Sequence, residues 1–200
     1  MKKLLTIGFA AMLIFAMASV SSAQLGPIGI KAGMNMADLS GDVENTSMKA
    51  GLVVGAWANF SLGMFDIQPE LLYSMKGAKQ DVGTTEIDNK YNYFEVPILV
   101  KYNLPLPGAL KPSIYAGPSF SILMSAKADD VDIKDNLKSS DYSLIVGAGV
   151  MMDMQSYVLT FDARYNLGLS DINDISGATE EVKNSTIMLM AGIGFKLPGM

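Results

Sequence analysis

The sequence predicts an all-β fold: an eight-stranded antiparallel up-and-down transmembrane β-barrel, preceded by a signal peptide. Three observations predict it. Eight stretches alternate apolar and polar residues over ten positions or more, long enough to cross a bilayer at the usual tilt, where an average soluble strand has about 5 to 6 residues. The gaps between them run long, short, long, short, long, short, long, as in a closed barrel with loops on one rim and tight turns on the other. In front of them stands a segment built like a removable export signal.

That segment reads MKKLLTIGFAAMLIFAMASVSSA. Lys2 and Lys3 form a cationic start, Leu4 to Val20 is uncharged and apolar, and Ser21-Ser22-Ala23 offers the small residues that a signal peptidase reads. Cleavage is expected before Gln24, which leaves residues 24–200 as a single barrel domain. No cysteine follows the apolar run, so a lipid-modified N-terminus is not expected.

Composition excludes several functions. The 200-residue chain has 15 basic and 20 acidic residues and a formal net charge of −5. That balance argues against nucleic acid as a partner, because phosphate binding needs a basic face. Cysteine and histidine are both absent. Disulfides, zinc, copper and haem sites built on those residues, and Ser-His or Cys-His nucleophiles, are therefore not available. The expectation is a non-enzyme without cofactor or catalytic residue. Past the signal there is no run of 18 apolar residues, hence no membrane helix is expected.

Strand periodicity is two, so alternate residues share a face. In the first strand, 26–36, Ile28, Ile30, Ala32, Met34 and Met36 oppose Gly29, Lys31, Gly33 and Asn35. The second, 49–60, groups Leu52, Val54, Ala56, Ala58 and Phe60 against Gly51, Val53, Gly55, Trp57 and Asn59. The third, 65–76, sets Phe65, Ile67, Leu71, Tyr73 and Met75 against Asp66, Gln68, Glu70, Ser74 and Lys76. The fourth, 90–103, sets Phe94, Val96, Ile98, Val100 and Tyr102 against Tyr93, Glu95, Leu99 and Lys101. The fifth, 111–126, and sixth, 141–154, oppose apolar rows to serines and glycines. The seventh, 157–169, is the clearest, with Tyr157, Leu159, Phe161, Ala163, Tyr165 and Leu167 against Thr160, Asp162, Arg164 and Asn166. The eighth, 185–197, sets Ile187, Leu189, Ala191, Ile193 and Phe195 against Thr186, Met188, Met190, Gly192 and Gly194.

The short gaps, 61–64, 104–110 and 155–156, are expected at the periplasmic rim. The long gaps, 37–48, 77–89, 127–140 and 170–184, are expected as outward loops. Pro97 and Pro118 fall within strands, and proline cannot donate to a ladder, so local bulges are expected there.

A soluble eight-stranded barrel would turn its apolar face inward; a membrane barrel turns it to lipid. Two features favour lipid. Phe60, Phe65, Tyr102, Tyr157 and Phe195 lie beside the short turns on the apolar face, and Tyr73 and Tyr142 lie on that face near the long gaps, as two interfacial girdles would. The polar face is rich in glycine and serine, which suit the interior of a narrow barrel filled by side chains. Lys31, Asp66, Glu70, Glu95, Lys101, Asp162 and Arg164 then become an internal network of both signs, expected to pair because lone buried charges are costly. A polar conduction path is the alternative reading of the same residues.

The loops carry further acid, including Asp129, Asp130, Asp132 and Asp135, then Asp171, Asp174, Glu180 and Glu181. The run from Asp171 fails the EF-hand pattern, with Ile175 where a ligand is needed. These are expected as solvated surface, and no metal site is expected. The 15 methionines fit packing better than soft-metal ligation.

Four segments carry a resemblance: Gly29 to Asn35, Tyr93 to Tyr102 with its Glu95-Val96-Pro97, Tyr115 to Phe120 with its Ala116-Gly117-Pro118, and Phe161 to Leu169. Together they resemble the PorT-like, porin-family outer-membrane β-barrel proteins, over essentially the whole mature chain. The resemblance implies an exported protein embedded in outer-membrane lipid, most such proteins having no defined activity and some being linked to secretion across that membrane. It also implies that both prolines are intended. Three roles follow as expectations: a plugged barrel whose long loops meet a protein partner, a narrow channel for small solutes, or an accessory of outer-membrane protein secretion.

Overall fold

A computed structural model describes residues 24–41, 46–82, 85–174 and 182–196. The export segment, with its cleavage site, lies outside the described residues. The strands are β1 (Gln24–Gly41), β2 (Thr46–Leu62), β3 (Phe65–Val82), β4 (Thr85–Asn103), β5 (Leu110–Ala128), the two-residue β6 (Val131–Asp132), β7 (Ser140–Asp153), β8 (Tyr157–Gly168) and β9 (Val182–Phe195). Neighbours pair in the order β4-β3-β2-β1-β9-β8-β7-β5-β6, and β4 pairs with β5. All pairings are antiparallel. The closing pair makes an eight-stranded barrel, to which β6 adds only a short hairpin on β5.

The side chains alternate as the periodicity requires. In β1, Ile30 and Met34 are 63% and 56% exposed, whereas Lys31 and Asn35 are buried. In β8, Phe161 is 50% exposed and Arg164 3%. The apolar row faces outward on every barrel strand and the polar row fills the lumen. The reading of an inward-facing soluble barrel therefore does not apply. Glycine makes this interior possible at specific places. A Cβ on Gly194 would stand 2.7 Å from the Trp57 ring, and one on Gly147 would stand 2.7 Å from the Tyr115 ring and 2.8 Å from Arg164 Cβ. At the β2–β3 turn Gly63 has φ +76°, fitting a two-residue hairpin with glycine first.

Two sequence expectations are corrected. Most of the gaps at 37–48 and 77–89 are strand rather than loop. β1 and β2 occupy 37–41 and 46–48, and β3 and β4 occupy 77–82 and 85–89, pairing as far as Val82↔Thr85. Their polar residues continue the barrel wall past the apolar band, where alternation no longer marks a strand because water lies outside it. The gap at 127–140 also holds structure: the ends of β5 and β7, β6, and a 3-10 turn at Lys134–Asn136.

Pro97 and Pro118 make no bulge. Between β4 and β5 the register runs Pro97↔Ser119, then Val100↔Ala116. Between β3 and β4 it runs Pro69↔Ile98, then Leu72↔Glu95. Between β2 and β3 it runs Trp57↔Glu70, then Phe60↔Ile67. Pro69, Pro97 and Pro118 each coincide with two skipped rungs toward the preceding strand and no change of register. Losing one N–H interrupts a ladder, but the pairs on both sides hold the alignment. One irregularity in register, between Leu25 and Ile28, spans Pro27 at the start of β1; the others lie between Met48 and Val53 and between Asn92 and Tyr93.

Candidate functional site

The lumen is built in layers. In the middle, Glu70 of β3 meets Lys31 of β1 and Arg164 of β8. Lys31 Nζ donates to Glu70 Oε1 at 2.9 Å and to Asp162 Oδ2 at 3.1 Å. Arg164 donates to both Glu70 oxygens, at 2.8 and 3.1 Å, and Gln68 Nε2 adds a bond to Oε1 at 2.6 Å. The four charged side chains are 3% exposed or less. Two cations and two carboxylates balance, which buried charge requires. Aromatic faces complete the layer: Lys31 lies over Trp57 at 5.8 Å and Arg164 over Tyr115 at 5.4 Å.

Above this layer Lys76 Nζ stands 2.8 Å from Glu95 Oε1, with both side chains buried, and over the Tyr93 ring at 5.4 Å. Higher still, Asn184 donates to Asp141 Oδ2 at 2.9 Å and to Tyr93 Oη at 3.2 Å, while Ser170 Oγ donates to Asp141 Oδ1 at 2.6 Å. An apolar cluster closes the outer mouth: Leu39, Ala78, Tyr91, Tyr93, Leu123, Ala126 and the fully buried Ile172, with Ile133 and Leu137 packed against it. Ile172 and Leu137 come from the two longer loops, which bond to each other through Lys138 N–H to Ile172 O at 2.8 Å and Asp174 N–H to Asn136 O at 3.0 Å. The described parts of these loops fold over the mouth instead of standing free.

Below the middle layer the lumen opens toward the short turns as a vestibule of about 530 Å³. Asn59 and Asn103 both donate to Asp66 Oδ2, at 2.7 and 2.8 Å. Lys101 donates to Gln68 Oε1 at 3.0 Å and lies over Tyr115 at 5.6 Å. At the rim Lys196 Nζ bonds both oxygens of Asp153, at 2.7 and 2.8 Å.

The seven sequence-predicted lumen residues thus fall into three groups. Lys31, Glu70, Asp162 and Arg164 meet, Glu95 pairs with Lys76, and Asp66 and Lys101 sit in the vestibule. Sequence reasoning misses Lys76, Asp141 and Asn184 as members; Lys76 shares lumen parity with Glu70, and the register pair Leu72↔Glu95 is what brings its strand level with Glu95. The seven aromatics, Phe60, Phe65, Tyr73, Tyr102, Tyr142, Tyr157 and Phe195, all carry outward parity. Phe65 and Tyr102 pack with ring centroids 5.3 Å apart and planes tilted by 50°.

Charges outside the apolar band are shifted by their neighbours. The Lys196 ammonium holds the Asp153 carboxyl below the ordinary carboxylate range. Burial pushes Asp171 up, but hydrogen bonds from Lys138 and the Val182 and Asn173 N–H groups outweigh it, so its pKa is lowered. Asp130 and Lys90 hold each other charged. Among the described residues, no group of three or more acidic side chains is placed to hold a metal ion.

A closed antiparallel wall, apolar outside and ionic within, defines an integral β-barrel of a lipid bilayer. The sequence model of the family described as outer membrane protein beta-barrel domain matches residues 23–174, and the chain belongs to that family. It is an integral protein of the outer membrane. Solved structures agree in fold. Neisserial surface protein A superposes with a TM-score of 0.55 at 18% identity, covering 85% of this chain and 97% of that one. OprG of Pseudomonas aeruginosa gives 0.53 at 13%, covering 86% and 96%. A major outer membrane protein of Thermus thermophilus gives 0.52 at 12%, covering 85% and 99%. None of the curated proteins matches the chain.

Proposed function

We propose that this barrel is a closed outer-membrane platform of the PorT-like kind, non-catalytic, whose rigid outer rim meets a protein partner. Export would use residues 1–23 as a cleaved signal, and the seven outward aromatics would form its interfacial girdles. The observation that carries the reading is the double block of the lumen. Ile172 and its neighbours fill the outer mouth, and the Glu70 layer spans the middle with side chains 3% exposed or less. A solute would have to strip charges that hold one another, which costs several kcal/mol.

Single-channel recording in planar bilayers tests the block. No steady conductance is expected, and a steady open level would transfer the assignment to the channel reading. Mass spectrometry of the barrel taken from outer membranes tests export, with Gln24 expected as the first residue. Cross-linking from the outer rim, for example from Lys90, tests the partner. A discrete, reproducible adduct on whole cells supports the platform role; its absence favours a purely structural role or one in secretion.

A further inference from the structure

The start of β1 is held on one side only. Toward β2 the pairs Gln24↔Ser61 and Leu25↔Phe60 form, and the register then shifts across Gly26 and Pro27. Toward β9, among the described residues, pairing starts only at Ile28↔Phe195. Residues 24–27 therefore run past the closing seam as an edge. Gln24 is exposed, and among the described residues its side-chain amide has no hydrogen-bond partner.

The same residue stands on the lip of the periplasmic vestibule, where cations are in surplus. Lys101, Lys111 and Lys196 line that cavity against Asp66 and Asp153. Both carboxylates are taken. Lys196 Nζ lies 2.7 Å from Asp153 Oδ1 and Lys111 Nζ 3.6 Å from Oδ2, while Asp66 is buried and accepts from Asn59 and Asn103. Cleavage before Gln24 would release an α-ammonium here as a fourth cation. Neighbouring cations favour the neutral form of an amine. An ordinary α-amine, with a pKa of about 7.7 to 8.0, is already partly neutral near neutrality, and the neutral amine is a nucleophile.

We propose that the mature end of this chain is closed as a pyroglutamyl lactam formed within Gln24. The α-nitrogen attacks the Cδ carbonyl and a C–N bond forms. The Cδ–Nε2 bond breaks, and Nε2 takes a proton from the amine and leaves as ammonia. Nothing is oxidised or reduced, and no co-reactant is consumed. The lactam carries no charge, so the fourth cation disappears and Asp153 stays with its two lysines. The compact ring joins Leu25 and Pro27 on the lip. This inference rests on the cleavage site proposed above.

The test uses the barrel in isolated outer membranes. Its amines are reductively dimethylated before any digestion, so that an open Gln24 end is capped and cannot cyclise during handling. Mass spectrometry should then find an N-terminal peptide that starts at Gln24, carries no label on its first residue and is about 17 Da lighter than the open form, the mass of ammonia. A dimethylated Gln24 overturns the proposal and leaves the cleavage site standing. A first residue other than Gln24 overturns both. The exposed edge is tested separately, with protein freshly released at Gln24 by a site-specific protease. The folded barrel should cyclise within about twofold of the rate of the chain kept unfolded in urea, because an unprotected end gains little from unfolding. Slowing by about tenfold or more in the folded barrel would show that the fold holds this end, and would overturn the argument from β1.

Discussion

Replacing Glu70 with glutamine keeps its size and removes its charge. In the native lumen this carboxylate accepts from Lys31, from both terminal nitrogens of Arg164 and from Gln68. After substitution the two cations share Asp162 alone, which lies 3.1 Å from Lys31 but 4.0 Å from Arg164. Truncating one partner of a buried ion pair costs about 3–5 kcal/mol, because the other charge stays buried and unmatched. Glu70→Gln should therefore destabilise the barrel by about that amount. Adding Lys31→Met restores the balance of one cation and one carboxylate and should recover a large part of the loss. The assay is urea unfolding in lipid vesicles, read by the shift between folded and unfolded bands on unheated gels. A Glu70→Gln barrel within about 0.5 kcal/mol of the parent would refute the argument. So would a double variant whose losses simply add, since charges in one network must couple.

Other perturbations test other layers. Phe161→Arg places a cation on the mid-height outer face and should cost about 2–4 kcal/mol in a bilayer, with a smaller effect in detergent; equal losses in both media would contradict the lipid-facing assignment. Gly194→Ala drives a methyl into the Trp57 ring and should cost about 1–3 kcal/mol, with Trp57 fluorescence reporting the displacement; an unchanged spectrum and midpoint would deny that contact. For the rim pair, the depressed Asp153 pKa means that its stabilisation is present above the ordinary carboxylate value and fades as pH falls through the lowered one. Asp153→Asn should cost at most about 1 kcal/mol at pH 7, as partly exposed pairs do, and nearly nothing once the pH lies well below the carboxylate range. A loss that grows on acidification would reverse the sign and reject the reading.

The barrel is legible in sequence because lipid imposes a strict rule on one face of each strand. Ile28 to Met36 or Tyr157 to Leu167 could not alternate as they do by accident of packing. Membership of the lumen is legible for the same reason, since Lys31, Glu70, Asp162 and Arg164 share the face opposite the grease. Partnership is not. Glu95 meets Lys76 because of inter-strand stagger, which depends on backbone register and not on parity. The outer extensions of β1 to β4 look like loops because, above the bilayer, both faces of a strand can be polar and the period vanishes. Ile172 stands in an acidic stretch as one apolar residue, with nothing local to mark it as the stopper of the mouth. The prolines are recognisable as ladder breakers, but the bulge inferred from them assumes that a strand cannot keep step across a missing donor. Flanking pairs such as Tyr93↔Leu123 and Lys101↔Tyr115 show that it can.

The ionic layer also bears on how such a wall is assembled. Lys31 belongs to β1, Glu70 to β3, Asp162 and Arg164 to β8, and their bonds span 39, 94 and 131 residues of chain. An open sheet that lacks only β9 holds all four, but closure through β9 is what brings β8 round beside β1. An incomplete barrel would carry bare charges into hydrocarbon, whereas the finished ring cancels them. The four residues therefore link the last closing seam to the energy of the whole wall.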